Sequence, residues 1–283
     1  MAVLLEWGPY HLDLEKKTHV MGVLNVTTDS FSDGGLFLER EKAVVHGITM
    51  AEEGADFIDV GGESSRPFSE RVSIDEEMER VIPVIEGLSR EISVPISIDT
   101  CKEAVAREAL KAGASIINDV SALRFDPALA SVAAESGVPV ILMHMKGTPE
   151  TMQKSPEYQD LIEEIKEFLE DAVRRAAMAG VREDLILVDP GIGFGKTFDH
   201  NLQILKQLSS FSSLEKPILI GTSNKAFIGE ILGKKADERV TGTMATVAVA
   251  AMQGAHVVRV HNVREAVETV KMVDAIKRGR VKQ

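Results

Sequence analysis

The sequence predicts an α/β protein: a closed (β/α)8 TIM barrel with a short N-terminal β-hairpin. Eight short apolar runs alternate with stretches of helical periodicity. Most runs are apolar throughout and rich in valine and isoleucine, as strands buried on both faces are. This alternation allows a barrel or a doubly wound open sheet. Eight near-equal units over about 250 residues favour the barrel.

The predicted strands lie at 19–25, 55–61, 95–99, 115–119, 138–144, 185–189, 217–221 and 256–261. Helix signals occupy 38–53, 73–90, 101–112, 126–136, 156–179, 198–211, 224–232, 238–253 and 263–278. The clearest helix is predicted to begin at Pro156, after Ser155 as its N-cap. Residues 1–18 are predicted to form a hairpin around a Gly-Pro turn, and we expect it to cover the lower mouth of the barrel. We therefore predict a single domain over 1–283, with the hairpin at 1–18 and the barrel at 19–283.

Composition narrows the classes of function. The chain has 283 residues and a net charge of −12, which argues against nucleic acid or anionic membrane as a partner. Cys101 is the single cysteine, so no internal disulfide can form, and we interpret it as a small buried residue. The start of the chain lacks secretory features, and no apolar run reaches the ~18 residues of a membrane span. We expect a soluble cytoplasmic protein.

Polar residues or glycines stand at the carboxyl end of every predicted strand. They are Asn25, Gly61, Gly62, Glu63, Asp99, Asn118, Asp119, His144, Asp189, Gly221, Thr222, Ser223, Arg259 and His261. The active site of a barrel lies at that end of the strands. Any one of these residues could be polar simply because a strand reaches solvent there. The whole set of carboxamides, short carboxylates and histidines at one mouth instead predicts a pocket.

The predicted pocket has two chemical halves. Asp99, Asn118 and Asp189 offer acceptors that suit the N–H edge of a planar heterocycle. Lys225, Arg259 and His261 follow the seventh and eighth strands, where barrels commonly bind phosphate. The sequence therefore predicts a site for a polar ring that carries an anion.

Two other kinds of site are not supported. The segment PGIGFGKT at 190–197 approaches a P-loop, but Pro190 occupies the position of its first glycine. We interpret its glycines as allowing a tight turn after Asp189 or a close approach to a ligand. The seven histidines form no His-x-x-x-His pair, so a structural zinc site is not predicted. Phe31, Met143 and Phe194 lie beside strand ends, where each could belong either to the core or to the wall of a ligand site.

MGVLNVTTDSFSDGG at 21–35 and GGESSRP at 61–67 resemble the first and second signatures of the dihydropteroate synthase family. The likeness continues in order through IDT at 98–100, INDVSA at 117–122, LMHMKGTPETMQ at 142–153, DPGIGFGKT at 189–197, GTSNKAFIG at 221–229 and RVHNV at 259–263. The resemblance covers nearly the whole chain. It implies a folate-pathway transferase that joins p-aminobenzoate to 6-hydroxymethyl-7,8-dihydropterin diphosphate and releases pyrophosphate.

By motif position, the resemblance also implies the site residues. The pterin ring would be held by Asp99, Asn118, Met143, Asp189, Phe194 and Lys225. The diphosphate would be bound by Asn25, Arg259 and His261, with Asn25 helping to position Mg²⁺. The aminobenzoate site would be formed by Phe31, Asp33, Ser65, Arg66, Pro67 and Ala226. The catalytic set would be Asp33, Asp99, Asp189 and Lys225. A homodimer and a sulfonamide target are implied as well.

Four positions depart from the family pattern. They are Thr28 in place of proline, Phe68 in place of glycine, Asn224 in place of arginine and Ala226 in place of serine. Ala226 can offer the aminobenzoate carboxylate only a backbone N–H, so we expect a raised Michaelis constant for the amine. Two rival functions stay open: a methyltetrahydrofolate-type pterin-binding methyltransferase and a non-catalytic pterin-binding homologue.

Overall fold

The computed structural model describes residues 4–26, 35–64, 71–154 and 156–281. Within these ranges the strands are β1 Leu4–Trp7, β2 Tyr10–Asp13, β3 His19–Asn25, β4 Phe57–Gly61, β5 Ile96–Asp99, β6 Ile116–Asp119, β7 Val140–Met143, β8 Ile186–Asp189, β9 Leu219–Ile220 and β10 Val257–Val260. The α-helices are α1 Gly35–Glu52, α2 Ile74–Glu91, α3 Glu103–Ala112, α4 Ala128–Ser136, α5 Leu161–Met178, α6 Phe198–Lys206, α7 Ala226–Leu232, α8 Val240–Met252 and α9 Val263–Arg278.

The eight strands after the hairpin form one parallel barrel. Their order is β8-β7-β6-β5-β4-β3-β10-β9, with every pairing parallel. The ring closes between β8 and β9, because Val188 bridges Ile218 in parallel and its N–H donates to the carbonyl of Pro217 at 2.9 Å. The predicted closed barrel is confirmed, and the open sheet is excluded.

Burial on two sides explains the apolar strands. All five residues of β4 are buried, since one side chain faces the barrel interior and the next faces the surrounding helices. Helix α2 supplies one such cover: Val81, Val84, Ile85 and Leu88 on one of its faces are fully buried. Among the described residues, no helix has both the length and the apolar character needed to cross a membrane.

The N-terminal hairpin lies at the amino-terminal mouth, as expected. Strands β1 and β2 pair in antiparallel register, and Leu5, Trp7 and Leu14 are buried in the main core. The hairpin tip lines a shallow cleft together with residues 114–115 and 137–138, which precede β6 and β7. The prediction that 1–283 forms a single domain stays a prediction.

Two helix bounds differ by five residues from the sequence prediction, whereas the other bounds differ by three residues or fewer. Helix α5 begins at Leu161 rather than at Pro156, because the carboxylate of Asp160 accepts the N–H of Glu163 at 3.2 Å. Ser155 lies outside the described residues. Helix α6 ends at Lys206 and is followed by a 3-10 segment, Leu208–Leu214. There, serine hydroxyls donate to backbone carbonyls three residues earlier and compete with α-helical bonding.

Candidate active site

Barrel closure brings most of the predicted site residues to one mouth. Asn25, Asp99, Met143 and Asp189 are the last residues of β3, β5, β7 and β8. Asp99 stands beside Asn118 in the sheet register, and Met143 stands beside Asp189. Adjacent strands therefore deliver these side chains at the same level of the barrel.

Arg259 on β10 connects the acids of the ring-binding half. Its Nη2 donates to Oδ2 of Asp99 at 2.8 Å, and its Nε donates to Oδ2 of Asp59 at 2.6 Å. Nδ2 of Asn118 donates to the same Asp59 oxygen at 3.0 Å. The sequence predicts Arg259 in the anion-binding half. The structure places its guanidinium between Asp99 of the ring-binding half and Asp59 of β4.

Sequence reasoning missed Asp59. This residue lies in the middle of β4 and is fully buried, and its Oδ1 has no hydrogen-bond partner among the described residues. The available signal was a single carboxylate inside the apolar run 55–61. A carboxylate in an apolar run does not reveal its partners, which lie on other strands.

Asp99 has a pKa close to neutrality. Burial raises the pKa of this carboxyl to about 7, the charge of Arg259 opposes the rise, and nearby Asp59 adds to it. Burial also disfavours the Arg259 cation, but Asp59 and Asp99 outweigh that effect and raise the pKa of Arg259. An acid with a pKa near neutrality in a mouth of this kind is a candidate for binding or catalysis.

Asp189 is held by the turn that follows it. Its Oδ1 accepts the backbone N–H of Gly191 at 2.7 Å. Burial raises the pKa of Asp189 to about 6, although the Gly191 bond and the charge of Lys225 act in the opposite direction. Gly191 has φ +72°, and a Cβ there would lie 1.9 Å from the carbonyl oxygen of His144. The predicted tight turn after Asp189 is confirmed.

Lys225 brings a cation to the same mouth. It immediately precedes α7, and its Nζ lies 4.3 Å from the centre of the Phe194 ring. Burial and the charge of Arg259 lower the pKa of Lys225 to about 8, with Asp189 acting in the opposite direction. No hydrogen bond joins its Nζ to another described residue, so the ammonium can donate to a ligand.

An apolar wall stands beside these charges. Met143 and Phe194 pack with Met145 and Met152 in a small cluster that is separate from the main core. Phe194 also carries the Lys225 ammonium over its ring. Because this cluster lies at the mouth, its position favours a ligand wall over ordinary core for Met143 and Phe194.

The remaining predicted residues of the anion half also lie at this end. Nδ1 of His261 lies 2.9 Å from Oγ of Ser223, which also accepts the His261 backbone N–H at 3.2 Å. Ser223 thereby orients the imidazole. Ala226 is the exposed first residue of α7, and Asn25 is exposed at the end of β3.

The backbone at Asn224, two residues before Ala226, explains one departure from the family pattern. Asn224 has φ +57°, a backbone conformation that asparagine tolerates better than most residues. Its carbonyl accepts from Nη1 of Arg239 at 2.8 Å, and its N–H donates to Oγ1 of Thr243 at 3.1 Å. The local backbone therefore suits asparagine at position 224.

Two strand-end residues, Asp119 and His144, make contacts within the protein that account for their polar groups. The carboxylate of Asp119 accepts the backbone N–H groups of Ser121 and Leu123, at 2.8 and 2.6 Å. His144 is buried, with its Nδ1 2.8 Å from Nζ of Lys196. These contacts account for both polar groups without a ligand.

Lys196 agrees with the sequence interpretation, whereas Cys101 is half-buried and not the fully buried residue that the sequence predicts. Lys196 occupies the lysine position of the P-loop-like segment, yet it is 2 % exposed and donates to the carbonyl of Phe194 at 3.0 Å. It is therefore directed inward and not toward a nucleotide. Burial and Asp119 hold the pKa of the Cys101 thiol well above its usual range, so it is a poor nucleophile.

The oxygen donors at this mouth suit Mg²⁺ only if substrate phosphates and waters supply most of its ligands. Among the residues that the structure describes, no group of three or more His, Cys, Asp or Glu could hold a metal ion. Mg²⁺ commonly retains waters and takes one or two protein oxygens together with substrate phosphates. The exposed carboxamide of Asn25 fits that pattern as a single oxygen donor.

Part of the predicted aminobenzoate site lies outside the described residues. This applies to Phe31, Asp33, Ser65, Arg66 and Pro67, and to the departures Thr28 and Phe68. Their predicted roles stay predictions.

Comparison with known proteins identifies the family. A family described as pterin binding enzyme matches residues 21–261. The chain is 47% identical over 257 residues to the dihydropteroate synthase of Escherichia coli K12, covering 91% of both chains. It is 50% identical over 268 residues to that of Bacillus subtilis 168, covering 95% of this chain and 92% of the relative.

Solved structures agree. A Yersinia pestis dihydropteroate synthase with a sulfonamide drug complex matches with a TM-score of 0.92 and 44% identity, covering 97% of this chain and 99% of the other. The Xanthomonas albilineans enzyme in complex with 7,8-dihydropteroate matches with a TM-score of 0.87 and 42% identity, covering 97% and 98%. The chain therefore belongs to the family of pterin-binding enzymes, among relatives named dihydropteroate synthase.

Proposed function

We propose that the protein is a dihydropteroate synthase. It condenses 6-hydroxymethyl-7,8-dihydropterin diphosphate with p-aminobenzoate to give 7,8-dihydropteroate and pyrophosphate. The observation that carries this proposal is the set of Asp99, Asn118, Asp189 and Lys225 at one mouth of a barrel whose relatives include the Xanthomonas albilineans enzyme in complex with 7,8-dihydropteroate.

The pterin ring fits the ring-binding half. The oxygen of Asp189 that Gly191 does not use can accept from the guanidine-like edge of the ring. The Lys225 ammonium can donate to a ring carbonyl or nitrogen. Phe194 and Met143 offer an apolar surface to the ring.

In the proposed reaction, pyrophosphate leaves as an anion before the amine attacks, so a cation forms on the pterin. Breaking the C–O bond sends the electron pair away with pyrophosphate, and the positive charge is delocalised over the ring. The carboxylates of Asp99 and Asp189 stabilise this charge. The arylamine nitrogen then forms the new C–N bond and loses a proton.

Arg259, His261 and Asn25 bind the diphosphate in this proposal. Nη1 of Arg259 makes no hydrogen bond to the part of the chain that the structure describes, so it can donate to a phosphate oxygen. Asn25 would also hold Mg²⁺, and the ion when bound would neutralise charge on the diphosphate.

The aminobenzoate site is proposed to involve Phe31, Asp33, Ser65, Arg66, Pro67 and Ala226. Of these residues only Ala226 lies within the described ranges. We propose that the amine binds only after the pterin has bound. The test is calorimetric titration of the protein with p-aminobenzoate alone. Tight binding without pterin or pyrophosphate would contradict this order.

We also propose a cytoplasmic homodimer. Val249 and Met252 of α8, with Met272 and Ile276 of α9, are large apolar side chains that are between 45% and 64% exposed. Helices α8 and α9 pack against each other, so these side chains offer an apolar surface to a second copy of the chain.

The function is tested by incubation with the pterin diphosphate, Mg²⁺ and p-aminobenzoate while pyrophosphate is measured. Release that depends on the amine supports the synthase. Pterin binding without release would support the non-catalytic homologue. Methyl transfer from methyltetrahydrofolate, without pyrophosphate release, would support the methyltransferase.

A further inference from the structure

Asp59 is a buried acid, and one of its carboxylate oxygens accepts hydrogen bonds from two residues of the site. Its Oδ2 accepts from Nε of Arg259 at 2.6 Å and from Nδ2 of Asn118 at 3.0 Å. Its Oδ1 is buried and has no hydrogen-bond partner within the described ranges. A buried carboxylate with an unsatisfied oxygen destabilises a fold, so its presence in an apolar strand points to a task in the site.

The contact with Asn118 determines what that amide offers a ligand. A carboxylate can only accept, so the nitrogen side of the Asn118 amide must face Asp59. The amide oxygen, Oδ1, is then left to accept from a ring N–H. Without the Asp59 carboxylate, the amide could rotate and present the opposite pattern of donor and acceptor.

The contact with Arg259 determines where that cation lies. One guanidinium spans Asp59 through Nε and Asp99 through Nη2. These two bonds fix the plane of the guanidinium and leave Nη1 without a hydrogen bond to any other described residue. Two anchors restrain the side chain more than Asp99 alone would.

We propose that Asp59 is a positioning residue of the pterin diphosphate site, which holds the Asn118 amide and the Arg259 guanidinium in their binding orientations. The inference rests on the proposed function, since it concerns the same ligand. Asp59 acts through its two neighbours and need not touch the substrate.

The first test compares Asp59→Asn with the wild type and with Ser97→Ala. Ser97 is the register partner of Asp59 on β5 and is equally buried, and its hydroxyl has no partner among the described residues. We expect Asp59→Asn to lose roughly 100-fold in kcat/KM for the pterin diphosphate, as a misplaced binding group does. Ser97→Ala should stay within about threefold of wild type, since it removes no hydrogen bond.

The second readout is the pH profile, which a merely structural role would not move. Asp99 is faced by Arg259 from β10, Asp59 from β4, Glu77 from α2, Asp119 from β6 and Lys225, which precedes α7. Replacing Asp59 with neutral asparagine removes one repelling charge and lowers the pKa of Asp99. The acid limb of kcat/KM should therefore move to lower pH by on the order of one unit.

The third test is a double-mutant cycle with Arg259→Lys. If Asp59 acts through Arg259, the combined loss will be clearly smaller than the product of the two single losses. If Asp59→Asn does not fold, as judged by circular dichroism, Asn118→Asp replaces it. That variant places a second carboxylate against Asp59 and should bind the pterin less tightly than Asn118→Ala.

The outcomes separate the inference from the proposed function. A wild-type protein without amine-dependent pyrophosphate release overturns the proposed function. With an active wild type, an Asp59→Asn variant that matches Ser97→Ala in rate and pH profile overturns the role of Asp59. The role of Asp59 is also overturned if the two single losses multiply fully in the double-mutant cycle. An Asn118→Asp variant that binds pterin as the wild type does would overturn it as well.

Discussion

Oδ1 of Asp189 accepts the backbone N–H of Gly191 at 2.7 Å, in a turn that lies directly on the carbonyl of His144. The turn holds a carboxylate in an environment that disfavours its charge. Burial raises the pKa of Asp189 from 3.8 to about 6, so near neutral pH this group is ionised at a cost in stability.

Asp189→Asn should abolish most activity yet stabilise the fold near neutral pH. A pKa rise from 3.8 to about 6 corresponds to about 3 kcal/mol against the ionised form in the folded state. Asparagine avoids this cost and keeps the acceptor for Gly191. Because the folded wild type binds the proton more tightly, its stability recovers as the pH falls from about 6 toward 3.8, and the advantage of the variant shrinks. The measurement is Tm at pH 7.5 and pH 4, with exposed Asp237→Asn as control. An equal Tm difference at both pH values would contradict this.

The pH optimum of the wild type should be narrow. Asp99, with its pKa raised to about 7, must be ionised to accept from the ring, and Lys225, with its pKa lowered to about 8, must be protonated to donate. We expect kcat/KM to fall below about pH 7 and above about pH 8. Lys225→Arg keeps the cation at high pH and should lose the alkaline limb. A flat profile between pH 6 and pH 9 in the wild type would refute both assignments.

Ala226→Ser should improve use of the amine. Ala226 is exposed at the start of α7, and a hydroxyl there adds one donor for a carboxylate. One such bond corresponds to a Michaelis constant for p-aminobenzoate that is about threefold to tenfold lower, with kcat unchanged. Ala236→Ser, at an exposed position in the 3-10 segment Ala236–Glu238, is the control. Equal constants for Ala226→Ser and wild type would remove the reason for expecting weak amine binding.

Lys102→Met should destabilise the fold through Glu77. Nζ of Lys102 contacts the carboxylates of Glu63 and Glu77, and Glu77 is 1% exposed. Removing the lysine leaves a buried carboxylate unpaired, which costs about 3 kcal/mol. Burial already raises the pKa of Glu77, and it rises further in the variant, so the destabilisation should shrink at lower pH.

Urea unfolding measures this effect, with Lys111→Met as the matched control. Lys111 pairs with Glu108 at 2.7 Å on an exposed surface, so its loss should cost less than about 1 kcal/mol. Equal losses for the two variants would show that the Glu77 pair is not special.

Val249→Glu should weaken the proposed dimer. Val249 is 45% exposed on α8, in the proposed contact surface, and a charge there opposes burial against a second copy. Val45→Glu on α1, where valine is 62% exposed, is the control. Sedimentation velocity should give a dimer for the wild type and for Val45→Glu, and a monomer for Val249→Glu. A monomeric wild type would refute the proposal.

The barrel could be predicted because each strand has a local signal. Strand β3 has the predicted bounds, since an uninterrupted apolar run ends at Asn25. The predicted start of α5 was wrong, because Ser155-Pro156 and Asp160 both resemble helix starts and the sequence does not distinguish between them. Asp59 was missed for a different reason. Its partners are 59 and 200 residues away, and one sequence does not reveal the register that joins them.

The bond between Asp59 and Arg259 has a consequence for biosynthesis. Because it joins β4 to β10, the last strand of the barrel, a growing chain carries its binding acids long before the guanidinium that pairs with them is made. During most of translation Asp59 therefore lacks the guanidinium that pairs with it, and an incomplete ring of strands exposes apolar surface. A pterin-like compound can therefore rescue a misfolding variant only after synthesis has passed residue 259, and chains truncated earlier are beyond its reach.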